Sequence, residues 1–289
     1  MRVPVTGKIM KIIKIDDINT PGLEIFTELS ERQLATVYEP EPGLFIAESE
    51  KITERALGAG YEPVRLLCEE GFLKKADEGG IVSRIIEKYP ETEIYSAELS
   101  ILKKLTGYNL TGGILCAMRR KKPDSPADIL KKIEDGKKKR IVIIDNVENP
   151  TNIGAIFRSA AALGMDAVLV SADSSDPLYR RAARVSMGTV FQIPWTYMDC
   201  EWPGEGIGKL HACGYKLVSM ALKEDSLRID DKRLADEEKL AILMGNEGDG
   251  LKQETIDASD YTVMIPMYHG VDSLNVAAAS AVAFYALKN

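Results

Sequence analysis

Asn152 and Arg158 stand six residues apart in the stretch Asp145-Asn146-Val147-Glu148-Asn149-Pro150-Thr151-Asn152-Ile153-Gly154-Ala155-Ile156-Phe157-Arg158. An amide and a guanidinium at that spacing can orient a polar substrate and hold an anion. A carboxylate, Glu247, sits in the glycine-rich run Gly245-Asn246-Glu247-Gly248-Asp249-Gly250, and Ser273-Leu274-Asn275 adds a hydroxyl and a second amide. Together these groups suit the binding of a polar or anionic ligand. Each also has a plainer reading. Asn152, Ser273 and Asn275 suit helix caps, Arg158 a surface cation, and Glu247 an exposed loop.

The elements that must carry these residues are legible from pattern. Asn149 suits an N-cap, Pro150 the first helical position and Gly164 the far end, so a helix is expected over 151–163. Ile153, Ile156, Phe157 and Ala160 share one face of it, and Arg158 falls roughly 140° from Ile153, off that stripe. Its N-terminus favours anions. Residues 240–244 read as a buried strand that delivers the glycine run. Residues 261–265 read as a second strand, ended by Pro266, and 276–287 as an alanine-rich helix opened by Ser273 and Asn275. Two strand ends beside a helix start are where open α/β sheets place ligands.

Around them the chain alternates. Strands are expected at 140–145, 167–170, 190–193 and 216–220, with helices at 178–185 and 207–212 between them, which implies a largely parallel sheet. Upstream, strands at 44–47, 63–68, 93–96 and 112–118 alternate with helices at 50–57, 81–88 and 97–105, a compact α/β domain of its own. Before Gly43 the pattern is irregular, with one helical candidate at 23–31. Lys122-Pro123-Asp124-Ser125-Pro126 reads as a linker, followed by a short helix at 127–134. The expected organisation is therefore an extension (1–42), a small α/β domain (43–121), a basic linker (122–139) and a second α/β domain (140–289).

The 289 residues, 45% hydrophobic and 28% charged, describe a soluble chain with room for two domains. No signal peptide or membrane span is evident, which points to the cytoplasm. The four cysteines form no CxxC pair and only two histidines accompany them, so reduced thiols are expected and no metal site. The net charge of −7 divides unevenly: residues 1–140 carry 24 basic against 23 acidic residues, and 141–289 carry 13 against 21. Ten basic and four acidic residues crowd into 119–140. Such a stripe can contact phosphates or can simply be solvated.

NPTNIGAIFRSAAALG, then SMGT…IP, LMGNEGDGL and IPMYHGVDSLNVAAA, resemble the ordered motif set of the SpoU (TrmH-like) RNA methyltransferases of the SPOUT superfamily. The resemblance covers 140–289. More weakly, LFIAESEKITERAL and LTGYNLTGGILCAM are similar to the small substrate-binding domain often fused ahead of that catalytic domain, while 1–42 match nothing in it. The resemblance implies an α/β fold closed by a deep trefoil knot, against the usual rule that connections do not thread loops. It implies S-adenosyl-L-methionine bound in the knot, with Gly245, Ile265 and Leu274 at cofactor-contacting positions and Asn246, Gly248, Gly250 and Pro266 completing the set. Glycine suits that role because a backbone without Cβ approaches a ligand closely. It further implies a homodimer, for which the helix at 276–287, apolar nearly all round, is suited. The implied reaction is methylation of a ribose 2′-hydroxyl, with ribosomal RNA favoured over transfer RNA.

Asn152, Arg158, Glu247, Ser273 and Asn275 match the polar positions of that family's site and are the candidate catalytic residues. Arg158 matches the position discussed as a base, yet guanidinium groups keep their protons in water. The expected role is binding of the target phosphate, with the amides orienting the ribose and Glu247 supporting the loop or donor. RNA affinity is expected to rest on the small domain, the basic stripe and arginines such as Arg180, Arg181 and Arg184, and to weaken steeply with salt.

Rival readings fare worse. A dinucleotide-binding dehydrogenase needs G-x-G-x-x-G after its first strand, and a P-loop ATPase needs Gly-Lys-Ser/Thr, whereas Gly208-Lys209 is followed by Leu210. The alternatives that remain are a base-methylating enzyme of the same superfamily, a transfer RNA 2′-O-methyltransferase, and a non-catalytic RNA-binding protein on the same fold.

Overall fold

The computed structural model describes residues 4–5, 8–9, 12–17, 19–74, 79–106, 112–246 and 248–288. The chain divides into two compact units, one of residues 1–122 with 178–184, the other of 123–177 with 185–289.

The first unit runs β1 (Pro4–Val5), β2 (Lys8–Ile9), β3 (Ile12–Lys14), α1 (Glu24–Thr27), α2 (Glu31–Thr36), β4 (Leu44–Glu48), α3 (Glu50–Gly58), β5 (Glu62–Glu69), α4 (Glu70–Lys74), α5 (Ile81–Lys88), β6 (Glu93–Ala97), α6 (Leu99–Thr106) and β7 (Ile114–Arg119). Strands β3 to β7 form one sheet in the order β3-β6-β5-β7-β4, with β3, β6 and β5 parallel and β7 antiparallel to both its neighbours. The alternation expected for 43–121 is present. The expected extension, by contrast, is part of this unit. Ile12 pairs with Ile94 at the sheet edge, and Ile15, Leu23, Ile25, Phe26 and Leu34 enter the core. The boundary placed at Gly43 is a close packing contact. A Cβ there would lie 2.3 Å from the carbonyl oxygens of Leu34 and Ala35, so only glycine lets α2 lie against the start of β4. The single helix expected over 23–31 is two, because Ser30 opens a new one with a capping box to Gln33.

The second unit continues with α7 (Pro126–Ile133), β8 (Lys139–Ile144), α8 (Pro150–Ala162), β9 (Ala167–Val170), α9 (Arg180–Val185, most of it grouped with the first unit), β10 (Trp195–Tyr197), α10 (Gly204–Ala212), β11 (Lys216–Met220), β12 (Leu227–Arg228), α11 (Lys232–Asp236), β13 (Lys239–Met244), α12 (Gln253–Asp257), β14 (Tyr261–Met264) and α13 (Val276–Leu287). Seven strands form a parallel sheet in the order β10-β9-β8-β13-β11-β14-β12. Ile141 to Ile144 and Leu240 to Leu243 are wholly inaccessible, as expected where helices cover both faces of a parallel sheet. Ile141, Ile143, Ala241 and Leu243 pack with Ile129 and Leu130 of α7 and with Ile207 and Leu210 of α10. The segment 122–139 is therefore no free linker. Ser125 caps α7, and the apolar face of that helix is core.

Two further expectations change. The run at 190–193 is not a strand. With Gly188 left-handed at φ 81°, Thr189–Phe191 winds into a 3-10 turn packed on α8, and the strand begins only after Pro194. The basic stripe is not uniformly available either. Lys139 pairs with Asp135 and Asp166, and Arg140 is 1% exposed, so both are structural.

Candidate active site

Because β8, β13, β11 and β14 are adjacent and parallel, their carboxyl ends discharge on the same edge of the sheet. The strand order reverses beside β8, since the chain runs outward through β9 to β10 and then returns to the far side of β13. Ligand crevices of doubly wound sheets lie at such a reversal.

Helix α8 leaves β8 through a short loop. Asn149, rather than Asn152, is its cap, its Oδ1 accepting from the Thr151 N–H at 2.8 Å. Asn152 is thereby released from capping. It is buried, and its Oδ1 accepts from Asn275 Nδ2 at 3.3 Å. Asn275 also caps α13, its Oδ1 accepting from the Ala277 N–H at 3.0 Å. The N-termini of α8 and α13 are thus joined by an amide pair across 123 residues of sequence. Arg158 projects from α8 as an exposed side chain, and no carboxylate among the described residues pairs with it.

The glycine run after β13 folds back on itself. Asn246 and Gly250 exchange backbone hydrogen bonds, both at 3.1 Å. Asn246 is consumed by this turn: its Nδ2 donates to the Asn146 carbonyl, and its Oδ1 accepts from the Gly248 and Asp249 N–H groups. Its side chain fastens the loop after β13 to the loop after β8. Gly248 and Gly250 are exposed, and Glu247 lies outside the described residues. A Cβ on Gly245 would sit 2.6 Å from the backbone of Gly250 and Leu251, whereas one on Gly248 would meet only Asn246 Oδ1, at 3.4 Å. Gly245→Ala is accordingly expected to cost about 1–3 kcal/mol in urea unfolding, and Gly248→Ala much less. Equal losses at the two positions would contradict the close-approach role of Gly245.

The cleft beside these groups is lined by Met220 at the end of β11, by Ala221 and Leu222 after it, by Ile265 and Met267 after β14, and by Asp272, Ser273 and Leu274 before α13. Of the residues expected from the sequence, Ile265, Leu274 and Ser273 line it, while Gly245, Asn246, Gly248, Gly250 and Pro266 are not among its lining. Residues 220–222, Met267 and Asp272 were not foreseen. The strand 216–220 was read correctly, but its place between β13 and β14 depends on a strand order that no local pattern carries.

A buried carboxyl lies under the same edge. Asp145, 2% exposed, follows β8, and burial pushes its carboxyl up from the usual range, offset only in part by the Trp202 indole, Lys252 and Thr255. Of the arginines expected to face RNA, Arg180 donates from Nε to Glu48 at 2.8 Å and Arg184 lies 3.4 Å from the same carboxylate. Part of that basic cluster therefore neutralises a buried acid.

A two-sided parallel α/β sheet with an amide pair at two helix starts and a cleft at the carboxyl ends of its strands has the form of a ligand-binding α/β unit. Residues 139–285 match the SpoU rRNA Methylase family. Over 272 residues the chain is 32% identical to an uncharacterized tRNA/rRNA methyltransferase of Mycobacterium bovis, covering 93% of this chain and 89% of that one. It is 30% identical over 193 residues to the 23S rRNA (guanosine-2′-O-)-methyltransferase RlmB of Acinetobacter baylyi, covering 66% and 76% respectively. An AdoMet-bound rRNA methyltransferase from Sinorhizobium meliloti shares the fold with a TM-score of 0.76 at 21% identity, over 96% of this chain and 97% of that one. The chain belongs to the SpoU rRNA methylase family and is, by that membership, an RNA methyltransferase.

Proposed function

We propose that the protein transfers a methyl group from S-adenosylmethionine to a ribose 2′-hydroxyl of RNA, and that the RNA is ribosomal. The observation that carries this reading is the Asn152–Asn275 amide pair, set beside a cleft lined by Ser273 and Leu274 with Arg158 exposed on the same helix as Asn152. The ribose and ribosomal assignments are further supported by the Acinetobacter relative, which is named for guanosine 2′-O-methylation of 23S rRNA.

The cleft suits the donor. Met220, Leu222, Ile265 and Leu274 offer apolar walls to a nucleobase, and Asp272 places a carboxylate where a cation is to be held. When bound, S-adenosylmethionine supplies an electrophilic methyl on a positively charged sulfur. What the protein must add is alignment and relief of the hydroxyl proton. Asn152 and Asn275 orient the ribose through their amides, Ser273 assists, and Arg158 holds the adjoining phosphate. The Arg158 cation would also favour the alkoxide by proximity, easing loss of the hydroxyl proton to solvent. Glu247 belongs to this proposal as support for the loop or the donor.

The outer face of α13 exposes Val282 and Tyr285, and covering that apolar face in a homodimer forms part of the proposal. So do the knotted path of the C-terminal segment and an RNA grip supplied by the first unit.

The test is methyl transfer from labelled S-adenosylmethionine into unmodified total RNA, followed by separation by size and digestion to nucleosides. Label in a 2′-O-methylnucleoside from one ribosomal RNA is the expected result. Label on a base would overturn the ribose chemistry, label confined to transfer RNA would overturn the substrate class, and donor binding without transfer to any RNA would overturn the reaction.

A further inference from the structure

Ten large apolar side chains are exposed among the described residues; two of them, Leu222 and Leu274, belong to the cleft, and two more, Tyr268 and Val271, stand on the segment between its lining residues Met267 and Asp272. Tyr268 is 79% exposed, the most exposed of the ten. The segment that presents it is a built turn. The Val271 N–H donates to the Tyr268 carbonyl at 3.2 Å, and the two central residues, His269 at φ 59° and Gly270 at φ 72°, are both left-handed. That pattern is the type I′ turn, which places its first residue in a defined direction. An aromatic ring this open to solvent, next along the chain to a cleft residue, is a surface that an occupant can cover.

We infer that Tyr268, with Val271 and Leu222, forms a nucleobase subsite on which the base of the methylated nucleotide stacks. The inference rests on the proposed ribose methylation, from which the occupant follows geometrically. A ribose whose 2′-hydroxyl meets the donor in this cleft has its own base one glycosidic bond away, at the mouth. A base drawn out of an RNA stack must recover stacking on the protein, and aromatic rings are the usual platform. Arg228, on the edge strand β12, lies within electrostatic reach of the Tyr268 hydroxyl while donating to both oxygens of Asp230 at 3.1 and 3.2 Å. The donor's adenine needs enclosure by the cleft walls and gains little from a ring this open to solvent.

Two variants, Tyr268→Ala and Tyr268→Phe, test this against the ribosomal RNA transcript that the wild type methylates and against the same transcript with an abasic ribose at the target nucleotide. On the intact transcript, Y268A is expected to raise KM for RNA about tenfold with a smaller change in kcat, and Y268F to remain within about twofold of wild type, since stacking needs the ring and not the hydroxyl. Loss of the base is expected to penalise the wild type about as much and Y268A hardly further. Independent, additive losses from base and ring would overturn the subsite. Weakened retention of labelled S-adenosylmethionine by Y268A in equilibrium dialysis would assign the ring to the donor instead, and an altered sedimentation coefficient would assign it to a contact between subunits. Either result ends the inference and leaves the proposed function standing. Wild-type protein that places no label on ribose in any transcript ends the proposed function, and the subsite with it.

Discussion

Arg158→Ala is expected to lower kcat by about a hundredfold or more while leaving the affinity for S-adenosylmethionine unchanged. Loss of a positioning or charge-stabilising group at a reacting centre costs on that order, because misplacement by an ångström and removal of a transition-state cation both fall on the chemical step. Arg158 stands one and two-thirds turns beyond Asn152 on α8, exposed and without a carboxylate partner among the described residues. Its removal should accordingly leave the urea midpoint nearly unmoved, as for surface positions generally. Arg158→Lys separates the possible roles. A lysine keeps the charge but loses the planar fork that grips a phosphate through two parallel hydrogen bonds. The expected result is intermediate turnover, about tenfold below wild type, with a raised KM for RNA. Near-normal turnover in R158K would show that charge alone suffices and would remove the bidentate contact from the mechanism.

What the sequence disclosed of this site was whatever a few neighbouring residues decide among themselves. Asn149, Pro150 and Gly164 bracket α8 because caps and helix starts are local events, and β11, β13 and α13 were placed within a residue because apolar runs of strand or helix length carry their own signal. The contact between Asn152 and Asn275 was anticipated only as co-membership of a site. That they bond, and that Asn149 frees Asn152 to do so, is tertiary. The contribution of Met220 to Leu222 was invisible for the same reason, since nothing local says that β11 lies between β13 and β14. Charge misled most. Lys139 and Arg140 close a run of four basic residues that resembles a solvated face, yet β8 carries both indoors. The sign of a side chain says where it is costly to bury, not whether partners await it. Gly43 misled in a related way, because a glycine that allows close packing and a glycine that marks a boundary look alike in one dimension.

Arg140 shows what such a buried cation does, and its removal is the largest stability effect expected in the molecule. The guanidinium reaches across to backbone carbonyls rather than to carboxylates. Nε donates to Leu287 at 2.8 Å, one terminal nitrogen to Lys139 at 3.0 Å, and the other to Glu237 at 3.0 Å. It therefore joins the first residues of β8, the approach to β13 and the last turn of α13. The carbonyl of Leu287 stands at a helix C-terminus, where the helix itself provides no N–H and a cation is favoured by the helix dipole. Burial disfavours the charge and shifts the guanidinium downward, against the pull of Asp166, Glu238 and Glu237. Four hydrogen bonds that it donates to backbone carbonyls, the fourth to Glu238 at 3.4 Å, make the burial tolerable. Arg140→Ala leaves those carbonyls without their donor and opens a cavity the length of an arginine stem, for an expected loss of about 3–5 kcal/mol. Arg140→Met refills most of the volume and restores no donor, so it should recover only a minor part in urea unfolding. Because α13 carries Asn275 at its opposite end, hydrogen exchange should show the C-terminal helix opening first in both variants. Donor binding should weaken under conditions where β8 remains protected. If R140M proved as stable as the wild type, the arginine would be a volume filler and the tether of α13 to the sheet would lie elsewhere.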